Sequence, residues 1–141
     1  MRTSARRFAA IGLAVTSLVA VAGCSDDRSI TNEDLNATAW VSSSVEGETL
    51  VEGTQIELAF QDGQIATNAG CNNMNGAYTL DNAILLVRQM SQTLQGCPDD
   101  LNAQDQWVLA LLESQPRLSL DGDELTMKGP DVTAVFDRSS P

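Results

Sequence analysis

From residue 54 onward, apolar and polar positions alternate in short runs separated by turn residues. Thr54-Gln55-Ile56-Glu57-Leu58-Ala59-Phe60 sets Ile56, Leu58 and Phe60 on one face and Glu57 on the other, the period of a half-buried strand. Asp62-Gly63 is a hairpin signal, and Gln64 to Asn68 returns with Ile65 and Thr67 on one face. Short strands follow at Ala77 to Leu80 and Ala83 to Val87, with Asp81-Asn82 turning the chain between them. Further strands are predicted at Arg117 to Leu120, Glu124 to Met127 and Val132 to Phe136, separated by Asp121-Gly122-Asp123 and Gly129-Pro130-Asp131. Thr38 to Ser44, with Trp40 as a core residue, reads as the first strand.

The period changes once. Leu101, Asp105, Val108, Leu109, Leu111 and Leu112 recur near helical spacing, which predicts a helix over about 102–114 with Asn102 as its N-cap. Pro116 makes continuation unfavourable. Many strands and one three-turn helix define an α+β class. The expected architecture is an antiparallel, strongly curled sheet of about seven or eight strands packed around one helix. No gap is long enough to imply a second domain.

The N-terminus has another character. Arg2, Arg6 and Arg7 precede an uncharged apolar run from Phe8 to Val21, and Val21-Ala22-Gly23-Cys24 follows. This is the pattern of a secretory signal. Because it ends at a cysteine, it resembles a bacterial lipoprotein signal. That resemblance implies cleavage before Cys24, with Cys24 as the lipid anchor, and a protein held on the bacterial membrane facing outside the cytoplasm. A plain secreted chain with a free Cys24 is the alternative. The expected organisation is a signal over 1–23, a flexible acidic tether over 24–36 and one domain over 37–138. The tether contains Asp26, Asp27, Glu33 and Asp34 and is too polar to fold alone.

Charge and cysteine count narrow the picture. The chain holds 8 basic and 19 acidic residues. With the three leader arginines removed, five basic residues face nineteen acidic ones, a net charge of −14. Such a surface argues against nucleic acid or an anionic membrane as a binding target, so the acyl chains would hold the protein to the bilayer. With Cys24 acylated, Cys71 and Cys97 remain. Outside the cytoplasm they are expected to form a disulfide, with two buried thiols as the alternative.

Cys71 lies in the stretch with the densest turn chemistry, Gly70-Cys71-Asn72-Asn73-Met74-Asn75-Gly76, followed by Tyr78. Glycine and asparagine tolerate positive φ, and asparagine side chains bond nearby backbone, so the stretch reads as a disulfide-clamped bend. A second reading is a small polar cleft lined by Asn72, Asn73, Asn75 and Tyr78 that holds a peptide or sugar.

Catalytic readings find little support. The chain has no histidine, which excludes His-based triads and imidazole zinc sites. The cysteines are not spaced as Cys-x-x-Cys, and no glycine-rich loop leads to a Lys-Ser/Thr pair. Asp121, Asp123 and Glu124 crowd one turn but lack calcium-loop spacing, and read as solvated carboxylates. Asp99 and Asp100 suit the positive end of the helix. No enzyme activity, metal or cofactor is expected.

Taken in order, Trp40, an Asp-Gly hairpin, Gly70-Cys71-Asn72, Asn75-Gly76, Tyr78, Thr93, Cys97-Pro98, a helix, and the final Leu-Asp-Gly-Asp-Glu-Leu and Val-Phe strands resemble the META domain, the HslJ-like family. The resemblance spans about residues 37–137. It implies a small envelope or secreted protein, often a lipoprotein, with a sheet curled around one helix and no catalytic mechanism to carry over. The motif positions are Gly70, Cys71, Asn72, Asn75, Gly76, Tyr78, Thr93 and Cys97. Many relatives have an aromatic or basic residue near Met74, so methionine removes one candidate contact. The expected role is structural, stress-related or protein-binding. A monomer is expected, with an envelope protein as partner. A small-ligand module using the asparagine bend is the alternative.

Overall fold

The computed structural model describes residues 29–140. The proposed signal over 1–23, Cys24 and the first part of the tether lie outside the described residues. The described chain forms eight strands in sequence order: β1 (Thr38–Glu46), β2 (Glu57–Gln61), β3 (Gln64–Asn68), β4 (Asn73–Asp81), β5 (Ile84–Gln92), β6 (Arg117–Asp121), β7 (Glu124–Lys128) and β8 (Thr133–Ser139). A short helix, α1 (Asn32–Leu35), precedes them, and α2 (Asp99–Glu113) lies between β5 and β6.

Each strand pairs antiparallel with the next, and β8 returns to β1, so the curled sheet closes into a barrel. Closure is uneven. The β5–β6 ladder has one register pair, Ile84 with Arg117. Two backbone bonds flank it, Leu85 N–H to the Pro116 carbonyl and Leu118 N–H to the Ala83 carbonyl. In chain order, α2 stands between these two strands.

Alternation fills the barrel. Trp40, Leu58, Phe60, Ile65, Met74, Tyr78, Leu85, Leu118, Leu125, Met127, Ala134 and Phe136 form one buried cluster with Val108, Leu111 and Leu112 of α2. An eight-stranded barrel has an interior just wide enough for its own side chains or one small ligand. Here side chains occupy it. Burying each large apolar side chain contributes about 1.5–3 kcal/mol, the main stabilising term.

The ends are closed by different devices. At one end α2 meets the β1–β2 and β3–β4 connections. Gln104, buried on α2, accepts from Val51 N–H at 2.6 Å and donates to Thr54 Oγ1 and the Ala69 carbonyl oxygen. At the other end Trp40 Nε1 donates to Thr38 Oγ1 at 2.7 Å, and the Arg138 guanidinium lies 4.3 Å from the Trp40 ring centroid. Arg138 also pairs with Asp123 at 2.9 Å.

Several boundaries differ from the pattern-based expectation. The tether does not extend to residue 36: Ile30 and Leu35 are buried, and Thr31 caps α1 by bonding Asp34 through both its N–H and its hydroxyl. Two apolar residues among acidic ones suffice because α1 docks against the barrel end, where Asn32 Oδ1 accepts Leu80 N–H and Asn36 Oδ1 accepts Asp62 N–H. β4 begins at Asn73 rather than Ala77, because Asn73 and Asn75 are outward strand positions while Met74 and Gly76 point in. β5 runs on to Gln92 rather than stopping near Val87. The main helix starts at Asp99, and Asn102 is inside it, its Nδ2 donating to the Cys97 carbonyl. Pro98 precedes the helix, where a residue without an N–H loses no bond.

If α1 is part of the domain, Leu35→Ala should lower stability by about 2–4 kcal/mol in chemical denaturation. A change within about 0.5 kcal/mol would mark the segment as a tether.

Candidate functional site

Gly70, Cys71, Asn72, Thr93 and Cys97 meet at the end of the barrel that α2 covers, where Asn72 turns inward, whereas Tyr78 lies nearer α1. Cys71 and Cys97 are joined in a disulfide with Cα atoms 6.2 Å apart, a normal span for such a bridge. Gly70 adopts φ +111° in the bend before Cys71, and its N–H donates to Asn68 Oδ1. The bend proper is short, because Asn73 already belongs to β4.

Asn72 is the centre of this region. Its residue is 2 % exposed, and its carboxamide is fully engaged. Nδ2 donates to Asp105 Oδ2 at 2.8 Å, and the Asn72 backbone N–H donates to the same oxygen at 3.0 Å. Asn72 Oδ1 accepts from Thr93 Oγ1 at 3.0 Å and from Gln95 N–H at 2.9 Å. Thr93 Oγ1 accepts in turn from Asn73 N–H at 3.1 Å. One side chain therefore ties the β3–β4 bend, the β5–α2 connection and the middle of α2 together. The disulfide links the first two of these a second time.

Asp105 is wholly buried, and its other oxygen, Oδ1, has no hydrogen-bond partner among the described residues. Sequence reasoning counted Asp105 as a helical-period position and missed this role. The available signal was a carboxyl group on the stripe shared by Leu101, Val108 and Leu112, where only a partnered polar group is tolerated. Gln104, also buried, was missed in the same way.

The other motif residues serve packing or face outward. Gly76 opposes a bulge in β5, where the register shifts between Asn75 and Ala77 and Gln89 has φ +54°. A Cβ at Gly76 would lie 2.6 Å from Met90 Sδ and 2.8 Å from the Arg88 carbonyl oxygen, so no side chain fits. Asn73 and Asn75 are exposed; Asn73 Oδ1 accepts from Asn68 Nδ2 and Asn75 Oδ1 from Ser91 Oγ, both at 2.9 Å. Tyr78 points inward and meets Phe60 edge-on, with ring centroids 5.0 Å apart. The polar cleft expected from Asn72, Asn73, Asn75 and Tyr78 is therefore not formed. Strand alternation sends Asn73 and Asn75 outward and the other two inward, and Asn72 has no free polar group to offer.

Asn73 and Asn75 border one hollow and Tyr78 a separate one, and Asn72 lines neither. A shallow hollow of about 520 Å³ on the outer face crosses β8, β1, β2, β3 and β4 over Ser139, Ala39, Ala59, Ala66 and Asn75. A second, of about 340 Å³, lies beside α1 and includes Glu33, Asp62 and Tyr78. A third, of about 170 Å³, lies against α2. Asp121, Asp123 and Glu124 are exposed, as a solvated turn requires. Among the described residues, no three His, Cys, Asp or Glu side chains are grouped to hold a metal ion.

Comparison with known proteins bears on most of the chain. Residues 33–141 match the META domain family. No curated protein is matched. A protein from Burkholderia xenovorans solved by NMR is similar with TM-score 0.66 and 19% identity, over 78% of this chain and 87% of that one. A second NMR structure gives 0.65 and 23%, over 77% and 94%. A DUF4847 family protein from Bacteroides vulgatus gives 0.56 and 10%, over 78% and 98%. These likenesses establish the shared fold.

Tyr78 supplies a measurable consequence of the packing. Burial pushes its phenol above the ordinary value of 10.0, because desolvation disfavours the phenolate. A raised folded value means that its contribution to stability is complete below pH about 10 and is lost as pH rises through the folded value. It is the only tyrosine, so phenolate absorbance should report its late titration directly, and Tyr78→Phe should lessen the alkaline loss of stability. Titration at the value of a free tyrosine would contradict the buried placement.

Proposed function

The chain belongs to the META domain family, and from that premise we propose that it is a non-catalytic, lipid-anchored protein of the bacterial envelope that acts by binding another envelope protein, in a structural or stress-related role. The anchor reading rests on the basic and apolar leader ending at Cys24. The non-catalytic reading is supported by one observation above the rest. The buried motif residue Asn72 is bonded to Asp105 and to motif Thr93 within the protein rather than offered to a substrate. A barrel filled with its own side chains and pinned at both ends suits a rigid body that presents its outer surface and loops to a partner.

Two measurements test the proposal. Cys24→Ser should move the protein from the membrane fraction to the soluble fraction, and unchanged fractionation would defeat the anchor. Short-range crosslinking of the wild-type protein in intact membranes should yield a discrete adduct containing a second protein. Monomer alone would contradict the binding role.

A further inference from the structure

The hollow against α2 has a chemistry that the motif does not explain. It is lined by Trp107, Ala110 and Leu111 of α2, by Ser114 just after the helix and by Pro130 and Val132 of the β7–β8 connection, with the exposed Glu48 and Asp131 at its rim. Its volume, about 170 Å³, suits one long side chain. Both rim residues are exposed, and neither has an ion-pair partner among the described residues. Lys128, on the adjacent strand β7, pairs with neither.

The site is built by close approach. Gly47 has φ +95°, and a Cβ there would lie 2.0 Å from the Asp131 carbonyl oxygen. The loop bearing Glu48 therefore sits directly on the loop bearing Asp131, and the spacing of the two rim residues is held by backbone contact. At Gly129 a Cβ would lie 2.6 Å from Leu111 Cδ1 and 3.2 Å from Ser114 Oγ, so α2 packs equally close to the same connection. The Gly129 N–H to Val132 carbonyl bond, 2.8 Å, closes that turn. A largely apolar lining that includes Trp107, with two carboxylate-bearing residues held side by side by their backbones, is complementary to an aliphatic stem ending in a cation.

Resting on the protein-binding reading above, we propose that this hollow receives a lysine or arginine side chain from an extended basic segment of the partner protein. The stem lies on Trp107 and Pro130, and the cationic group reaches Glu48 and Asp131. Charge complementarity selects this occupant over a second copy of the chain. The chain carries 8 basic against 19 acidic residues, so two copies repel. Arg138 is already held by Asp123 and Trp40.

The test uses residues 24–141 with Cys24→Ser, which retain every described residue. Blocked pentapeptides Gly-Ala-X-Ala-Gly, with X as lysine, arginine, norleucine or glutamate, are titrated while the Trp107 indole N–H resonance is followed by NMR. Lysine and arginine peptides should shift it, and norleucine and glutamate peptides should not. The isosteric pair Glu48→Gln and Asp131→Asn, which leaves the glycine contacts in place, should weaken lysine-peptide binding about tenfold. Raising salt should weaken it too. Equal response to norleucine, no response to any peptide, or binding indifferent to the Gln and Asn substitutions would overturn the proposal. So would a response to phosphatidylcholine bicelles alone, which would make the hollow a lipid-headgroup site. A crosslinked partner in membranes together with a silent peptide titration would keep the protein-binding role and reject this hollow.

Discussion

A carboxyl group taken wholly out of water must be given hydrogen-bond partners by the fold, and Asp105 receives them from one residue, Asn72. The requirement runs both ways. Asn72 is itself buried, with two donors and an acceptor to satisfy. Asp105 Oδ2 takes its backbone and side-chain N–H groups, while Thr93 and Gln95 supply its acceptor. Since Asp105 is on α2, this fixes which side of the helix faces the barrel. Since Thr93 and Gln95 flank Leu94, it also fixes the path of the chain entering the helix. Leu94 is 97 % exposed, so this connection has little apolar burial to hold it and depends on the polar bonds and the disulfide.

The barrel depends on that placement because its β5–β6 seam is narrow. With one register pair at the seam, the strands alone give β5 little cohesion with β6. The helix joining them, anchored at its middle through Asp105 and Gln104 and packed on Gly129 near its C-terminal end, limits how far the seam can open. The opposite end needs less, because the hairpins there close locally and α1 and the Arg138–Trp40 stack cover the remaining opening.

Most of the architecture was legible in the sequence because an inward and outward alternation leaves a period of two. Ile56, Leu58 and Phe60, and Ile65 and Thr67, are buried as the pattern required. Legibility failed where that pattern was carried by unusual residues. Asn73 and Asn75 are outward strand positions, but asparagine beside glycine signals a turn, so four residues of β4 were read as a bend. Ile30 and Leu35 are two apolar residues in an acidic segment, and only a docking surface made elsewhere in the chain gives them burial. The site failed for a related reason. Asn72 was noticed for its side chain, yet a single sequence does not reveal that its partner is a carboxyl group 33 positions away on a helix. A polar residue on an apolar stripe marks such a partner, and Asp105 has that mark.

Asn72 and Asp105 act as one unit holding helix, bend and connection. A double-mutant cycle in chemical denaturation measures this most directly. Asn72→Ala and Asp105→Ala should each cost about 2–3 kcal/mol, since each leaves buried polar groups unpaired. The double variant should fall short of their sum by about 1–2 kcal/mol. Strictly additive losses, or single losses within about 0.5 kcal/mol, would contradict the claim.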